Sequence, residues 1–390
     1  MAVQGLRALG YGFGSVLLGA VLADGGLSSA QVGAVFTAML AGMALGSLVV
    51  GRLADRIGRR RSYVVLLALM ALAGTVFALT QWLPLLVLAA LTGTLSTDPN
   101  ESGPITTLEQ AMIGGAPAPA RARVFGRYNA VAYLAGSLGA LLAGGPSIVR
   151  GVWPGVPADQ LWLLLIPALA VIAALIAARL SDAVELPISH SGGRGLVRSR
   201  GTVRRLAALF AVDAFAGGFV VQAFLVFWFG RRYGASVEVM GLVFFAVGLL
   251  QAASSVVAGR LGGRIGLLNT MVFTHLPSNL LLAAIPLSPS LPVALTLLVA
   301  RAALSQMDVP ARQAYVVTMV DPAESTAAAA YTNTARYVAR PIAPVAAGVL
   351  MQHAWIGLPF LIGGGVKIAY DLTLYVLFRR LRPAETDAHT

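Results

Sequence analysis

No cysteine occurs in this 390-residue chain, which excludes disulfides and thiolate-held metals. Histidine is scarce as well. The four, His190, His275, His353 and His389, are scattered and lack metal-ligand spacing, so no metal or other cofactor is expected. Charge is the third shortage. Only 11% of residues are Asp, Glu, Lys or Arg, against about 25% in soluble domains, and this composition belongs to a membrane protein. No nucleophile–base constellation and no HExxH run is present, so no enzymatic activity is expected.

What the chain has instead is apolar sequence, 57% of its residues, with a mean hydropathy of +0.79. A spanning helix needs about 20 such residues. Apolar runs and their polar breaks predict spans over 8–23, 31–50, 62–80, 83–97, 125–145, 160–179, 205–229, 237–258, 267–287, 291–309, 325–350 and 357–378. The first run, with VLA before Asp24, has the look of a cleavable leader. So many similar runs follow that an uncleaved span is expected.

The basic residues set the orientation. With both termini cytoplasmic, the inner segments hold Arg7, the five arginines of 52–61, Arg121, Arg123, Arg127, six between 179 and 205, Arg260, Arg264, Arg312 and the arginines of 379–382. Only Arg150, Arg231 and Arg232 fall outside, as the positive-inside rule requires. The formal charge of +12 is therefore a topology signal in a multi-pass protein of the cell membrane. It is not a nucleic-acid surface, because no aromatics are interleaved to stack bases.

The chain repeats itself. GRLADRIGRRR (51–61) and GRLGGRIG (259–266) sit between the second and third spans of each half. LEQAM (108–112) answers ARQAY (311–315), and RVFGRYNAVAYLAG (123–136) answers AAAAYTNTARYVAR (327–340), with Asn129 facing Asn333. These echoes predict a six-plus-six duplication. An N-terminal bundle over 1–188 and a C-terminal bundle over 205–390 would be joined by a cytoplasmic linker over 189–204. Two six-helix halves of like orientation are the plan of a rocking transporter with its site between them.

GRLADRIGRRR closely resembles motif A of the major facilitator superfamily, through Gly51, Leu53, Asp55, Arg56, Gly58, Arg59 and Arg60. The second copy keeps Gly259, Leu261, Arg264 and Gly266, but Gly263 replaces the acid. The resemblance covers the whole chain and implies an all-α membrane fold of twelve helices in two pseudo-symmetric six-helix bundles. It also implies a cytoplasmic gate around Asp55. Gly51 and Gly58 would permit a tight turn and a close helix approach, Asp55 would face a helix N-terminus, and the arginines would pair with nearby carboxylates. Asp98 and Asp308, at the expected inner ends of spans four and ten, are the natural partners, Asp308 for Arg260 or Arg264. A second family signature, the Gly-Pro-rich motif C of drug–proton antiporters, fits less well. AGSLGALLAGGP (135–146) has Ala140 and Leu141 where the Gly-Pro pair belongs.

Ionisable groups inside spans are costly and usually functional. The first half is expected to hold essentially none. Asp98, Glu101 and Glu109 read as part of a short interfacial helix bracing the motif A loop rather than as a metal or catalytic site. The second half holds Asp213, Arg301, Arg336, Arg340, Lys367 and Asp371. Lys367 and Asp371, four apart, are expected to neutralise each other, and Arg301 is a candidate bridge to Asp213. Asp213 is the candidate proton carrier. Arg301, Arg336 and Arg340, with Asn333 and Asn129, are the candidate substrate cavity, and their positive excess suits an anion. The expected function is secondary active transport of a small solute by a monomer, proton-coupled and outward. Uptake or exchange of a small organic anion is the alternative. A receptor or lipid-binding protein that kept the fold without transporting is the rival from another class.

Overall fold

A computed structural model describes residues 1–98, 103–114, 118–185, 196–321 and 324–380. Regular structure among them is helical throughout. In chain order the helices are α1 (Ala2–Asp24), α2 (Ser29–Ile57), α3 (Arg59–Leu79), α4 (Leu83–Ala90), α5 (Pro104–Gly114), α6 (Ala118–Leu142), α7 (Gly145–Val152), α8 (Asp159–Trp162) and α9 (Leu165–Ala178). The second half continues with α10 (Arg200–Gly218), α11 (Gln222–Tyr233), α12 (Val237–Ile265), α13 (Leu267–Ala284), α14 (Leu291–Ser305), α15 (Asp308–Thr318), α16 (Ser325–Ala339), α17 (Ile342–His353) and α18 (Leu358–Phe378).

Ten helical stretches among the described residues are long and apolar enough to cross a bilayer. The two expected spans outside that set, 83–97 and 325–350, are interrupted helices. Alone, α4 has eight residues, about 12 Å of helix, and the chain turns irregular before α5 resumes. The break between α16 and α17 falls at Arg340 and Pro341, where the proline has no N–H to carry the helical hydrogen-bond ladder onward.

Span ten is longer than its apolar run suggests. It continues through α15 as Leu291–Thr318, with only Gln306 and Met307 outside helix. Asp308 and Arg312 therefore fall on a helix that continues the apolar run, not in a loop after it. The polar residues of α15 give it the sequence character of a loop.

Contacts divide the chain into two units. The first takes in 1–189, 221–249 and 344–356, and the second 190–220, 250–343 and 357–390. This partition follows packing, whereas the division at the 189–204 linker follows the duplication, and the two do not coincide.

In the first unit α1 lies against α6, so closely that a Cβ at Gly12 would meet the Gly136 carbonyl oxygen at 1.9 Å. Glycine is what permits this approach. The aromatics of α11 (Phe224, Phe227, Trp228 and Phe229) are fully buried, so they serve packing and do not face lipid. In the second unit Val203, Leu206 and Phe210 of α10 form a core with Met271 of α13, Tyr315 of α15 and Leu374 of α18.

Both copies of the basic phrase turn on a glycine in the left-handed region, Gly58 at φ 99° and Gly266 at φ 86°, where a side chain would be strained. Gly51 is different. Nothing lies within 4 Å of a Cβ built there, so the close approach expected of it is not made.

Candidate functional site: a buried charge cluster

Five helices of the second unit bring charge to one place. Asp213 lies on α10, Arg336 on α16, and three pairs are spaced one turn apart: His275 and Asn279 on α13, Asp308 and Arg312 on α15, Lys367 and Asp371 on α18. One-turn spacing sets each pair on a single helix face. The Asp213 carboxylate is the hub. Its Oδ1 accepts from Lys367 Nζ at 2.6 Å, and its Oδ2 accepts from Arg336 at 3.0 Å and lies 3.6 Å from Arg312. Lys367 is the only lysine in the chain.

Around the hub, Arg312 donates to Asp308 at 2.7 Å. His275 Nδ1 is 2.9 Å from Asp371 Oδ1, and Asn279 donates to Asp371 Oδ2 at 2.9 Å. The far ring nitrogen of His275 stands 3.9 Å from Asp213 Oδ1. Asp213, Asp308, Asp371, His275, Arg312 and Lys367 are all buried. Arg336 is the more open member, its side chain 24% exposed against 4% for Asp213. Burying ions is costly unless each is paired, and here three cations face three carboxylates.

Several expectations change. Lys367 and Asp371 do not neutralise each other: the lysine turns to Asp213 and the acid to His275 and Asn279. Helical spacing shows which side chains share a face, not which face of another helix meets them. Asp213 is held by Lys367, Arg336 and Arg312 and not by Arg301, which sits part-buried on α14. Asp308 pairs with Arg312 instead of Arg260 or Arg264, and Arg264 is exposed. The sequence reading gives no site role to Arg312, His275 or Asn279, although the i, i+4 spacing of His275 and Asn279 in THLPSN (274–279) is a usable signal. Of the remaining cavity candidates, Asn129 on α6 and Asn333 on α16 are exposed, and Arg340 is part-buried.

The first unit, expected to hold no deep charge, holds a second cluster. Arg7 on α1 reaches Glu109 on α5 at 2.7 Å, both side chains at most 5% exposed. Tyr63 donates to Glu109 Oε1 at 2.5 Å and Tyr128 donates to Oε2 at 2.6 Å. Arg7 also donates to Gln4. The internal repeat, which sets Glu109 against Arg312, makes this a mirror of the second cluster with the signs exchanged. In the first unit a base on the first helix meets an acid on α5; in the second, an acid on α10 meets a base on α15.

Glu109 is therefore buried among side chains of α1, α3 and α6. Glu101 lies outside the described residues.

Asp98 occupies the break between α4 and α5. Its Oδ1 accepts from the Gln222 backbone N–H at 2.8 Å, at the first turn of α11, where a carboxylate satisfies an orphan donor and the helix dipole. Beside it the Ala223 N–H donates to Thr97 O at 3.0 Å. Tyr11 donates to Thr94 O at 2.7 Å, and Gln222 donates to Ser15 at 2.9 Å. Irregular backbone buried away from water requires such internal partners.

At motif A, Asp55 and Arg56 fall in the last turn of α2; the Asp55 side chain lies outside the described set. The carboxylate found at the α3 N-terminus is Glu185, which accepts from the Arg59 and Arg60 backbone N–H groups at 2.6 and 3.0 Å. The Arg60 side chain donates to Leu180 O at 2.9 Å. Glu324 does a related job in the second unit. Its carboxylate accepts from the backbone N–H groups of Val197, Arg198 and Ser199, each at 2.8 Å. These three donors hold its pKa down to about 2, from an ordinary 4.5.

A bundle of long apolar helices, several of them broken, with ion clusters buried inside it, defines a membrane transport protein. The chain belongs to the Major Facilitator Superfamily, which it matches over residues 1–230 and 206–390. A curated relative, the uncharacterized membrane protein YJR124C of Saccharomyces cerevisiae, is 26% identical over 96% of this chain and 92% of its own length.

Among solved structures the fold is similar to a bacterial homologue of the human lysosomal transporter Spinster in an inward-facing, occupied conformation. That likeness has a TM-score of 0.77 at 16% identity, over 97% of this chain and 95% of the other. It is also similar to the inward-open xylose transporter XylE of E. coli, with a TM-score of 0.71 at 16% identity over 96% and 94% of the two chains. The chain is a multi-pass membrane transporter, not an enzyme.

Proposed function

We propose that the protein moves a small solute out of the cell by alternating access and couples that movement to protons through the Asp213 cluster. The observation that carries this reading is the hub itself. One buried carboxylate ties α10 to α15, α16 and α18, so a change in charge at the hub loosens or tightens four helices together. One neighbour by fold is described as a D-xylose–proton symporter, which supports proton coupling in this architecture.

The motif A resemblance supports a cytoplasmic gate around Asp55. The protein resides in the cell membrane as a monomer with both termini cytoplasmic, the orientation that the arginine distribution favours. In that orientation the helix ends around Leu27, Arg231 and Ile356 in the first unit lie outside. There Arg231 donates to Leu27 O at 3.2 Å and Trp228 to Ile356 O at 2.8 Å, a contact set suited to a closed outer side.

One observation favours a second reading, uptake or exchange of a small organic anion. Arg336 is the hub cation with the most exposed side chain, and a carboxylate reaching it would compete with Asp213 for its guanidinium. Purified protein in liposomes with a pH dye inside, given a panel of anions, cations and neutral solutes, tests both. Proton-coupled transport predicts a solute-triggered pH change that Asp213→Asn abolishes. Solute movement without any pH change would overturn the coupling, and a response confined to anions would select the second reading.

A further inference from the structure

The proposed function needs a place where a proton can sit, and Asp213 offers little room. Both of its oxygens are taken, Oδ1 by Lys367 and Oδ2 by Arg336 with Arg312 behind it. Across a short gap stands a group that neither the motif resemblance nor the apolar pattern singles out. His275 on α13 is buried, and its two ring nitrogens face different acids on different helices. Nδ1 is 2.9 Å from Asp371 Oδ1 on α18, and Nε2 is 3.9 Å from Asp213 Oδ1 on α10.

A neutral imidazole has one donor and one acceptor nitrogen, and the partner of one fixes the role of the other. An ionised Asp371 can only accept, so at 2.9 Å it favours the hydrogen of neutral His275 on Nδ1, with the nearby Asn279 amide donating to Asp371 Oδ2 instead of to the ring. Nε2 is then a bare lone pair aimed at a second carboxylate. Two acceptors facing each other across 3.9 Å leave a position that a proton on Nε2 would fill, giving an imidazolium between two acids.

We infer that His275 Nε2 is the binding site of the transported proton, with Asp371 and Asn279 as the residues that position the ring. The inference rests on the proposed proton coupling. The step balances simply: hydronium gives its proton to the Nε2 lone pair and leaves water, and release reverses this. With His275 neutral, the cations Lys367, Arg336 and Arg312 match the carboxylates Asp213, Asp308 and Asp371. A single proton on His275 therefore converts a balanced cluster into one carrying an extra positive charge.

The groups around the ring account for each packed helix. Asp371, Lys367 and Tyr370 come from α18, Tyr370 at 6.1 Å between ring centroids. Asp213 comes from α10, and Arg312 with Asp308 from α15. Arg301 is on α14, where its carbonyl accepts from Ser278 at 3.4 Å. Asn279, on the same helix as His275, has its amide nitrogen 3.1 Å from Nδ1, and its Oδ1 has no hydrogen-bond partner among the described residues.

The chain has four histidines, so nitrogen NMR of protein labelled only at histidine can resolve His275, with His275→Gln as the assignment control. The expected result is a buried histidine carrying its hydrogen on Nδ1 at high pH and gaining a second on Nε2 when the pH is lowered. Asp371→Asn should lose the Nδ1 preference. A ring that keeps its hydrogen on Nε2 at high pH, or never gains a second one, overturns the assignment.

The same variants in liposomes separate this inference from the reading beneath it. If wild type moves protons with solute and His275→Gln moves solute alone, both stand. If folded His275→Gln and His275→Asn still move protons, the histidine site falls and the coupling survives. If wild type itself moves none, the coupling falls and takes a transported proton with it, whatever the NMR shows.

Discussion

At the residue scale the two clusters differ in how they are finished. Glu109 is fully engaged, by Arg7 and two tyrosine hydroxyls, and such a network is expected to be structural. Removing its charge strands a buried guanidinium, and breaking a buried pair costs about 3–5 kcal/mol. Glu109→Gln should therefore lower unfolding stability in detergent by that order, while Arg7→Met combined with Glu109→Met should cost less than Glu109→Gln alone. Equal losses in the two would show that the pair is not coupled.

Glu324 supplies a pH dependence of definite sign. Its folded pKa of about 2 lies below its ordinary 4.5, so its tie to residues 197–199 is complete above pH 4.5 and is lost as pH falls towards 2. The chain has no cysteine, so one introduced at the exposed Val197 can carry a spin label. The label should gain mobility as pH falls through that window, and Glu324→Gln should make it mobile at every pH. A wild-type label with unchanged mobility down to pH 2 would refute the tie.

At the element scale the informative features are the interruptions. Asp98 caps α11 from the irregular stretch that follows α4, and loss of an N-terminal cap costs about 1 kcal/mol. Asp98→Ala should loosen this junction by that amount. It should also speed thiol labelling of a cysteine placed at Ala223, which is fully buried; unchanged labelling would mean that the cap holds nothing shut.

These interruptions are only half legible in the sequence. TGTLSTDPNESG (92–103) advertises an end to helix α4 with its glycines, proline and hydroxyl residues, but nothing in it reveals that α5 follows as a second buried helix. In span ten the polar run DVPARQAY reads as a loop for the same reason. Its burial is tolerable because Arg312 meets Asp213, and Asp213 lies about a hundred residues earlier on α10, a pairing that only the packed bundle creates. The apolar spans are legible because lipid imposes one simple demand on each of them. Buried ion pairs are not, since Lys367 satisfies the same i, i+4 spacing with Asp371 whether or not the two side chains meet.

At the scale of the whole molecule, duplication left its record in the backbone more than in the chemistry. Gly58 and Gly266 repeat one left-handed turn, and a base–acid pair recurs with its signs exchanged. Of the two clusters, only the second contains a histidine and a part-exposed cation, so the proposed coupling assigns the variable charge to one repeat.

The most direct test of that claim is gradient-driven accumulation in liposomes, using a solute identified from the panel and supplied at equal concentration on both sides. A pH gradient alone should drive the solute uphill in the wild type. Dissipating the gradient should collapse the accumulation, and Asp213→Asn should exchange solute without accumulating it. Accumulation that ignores the pH gradient, or that survives in Asp213→Asn, would contradict the account.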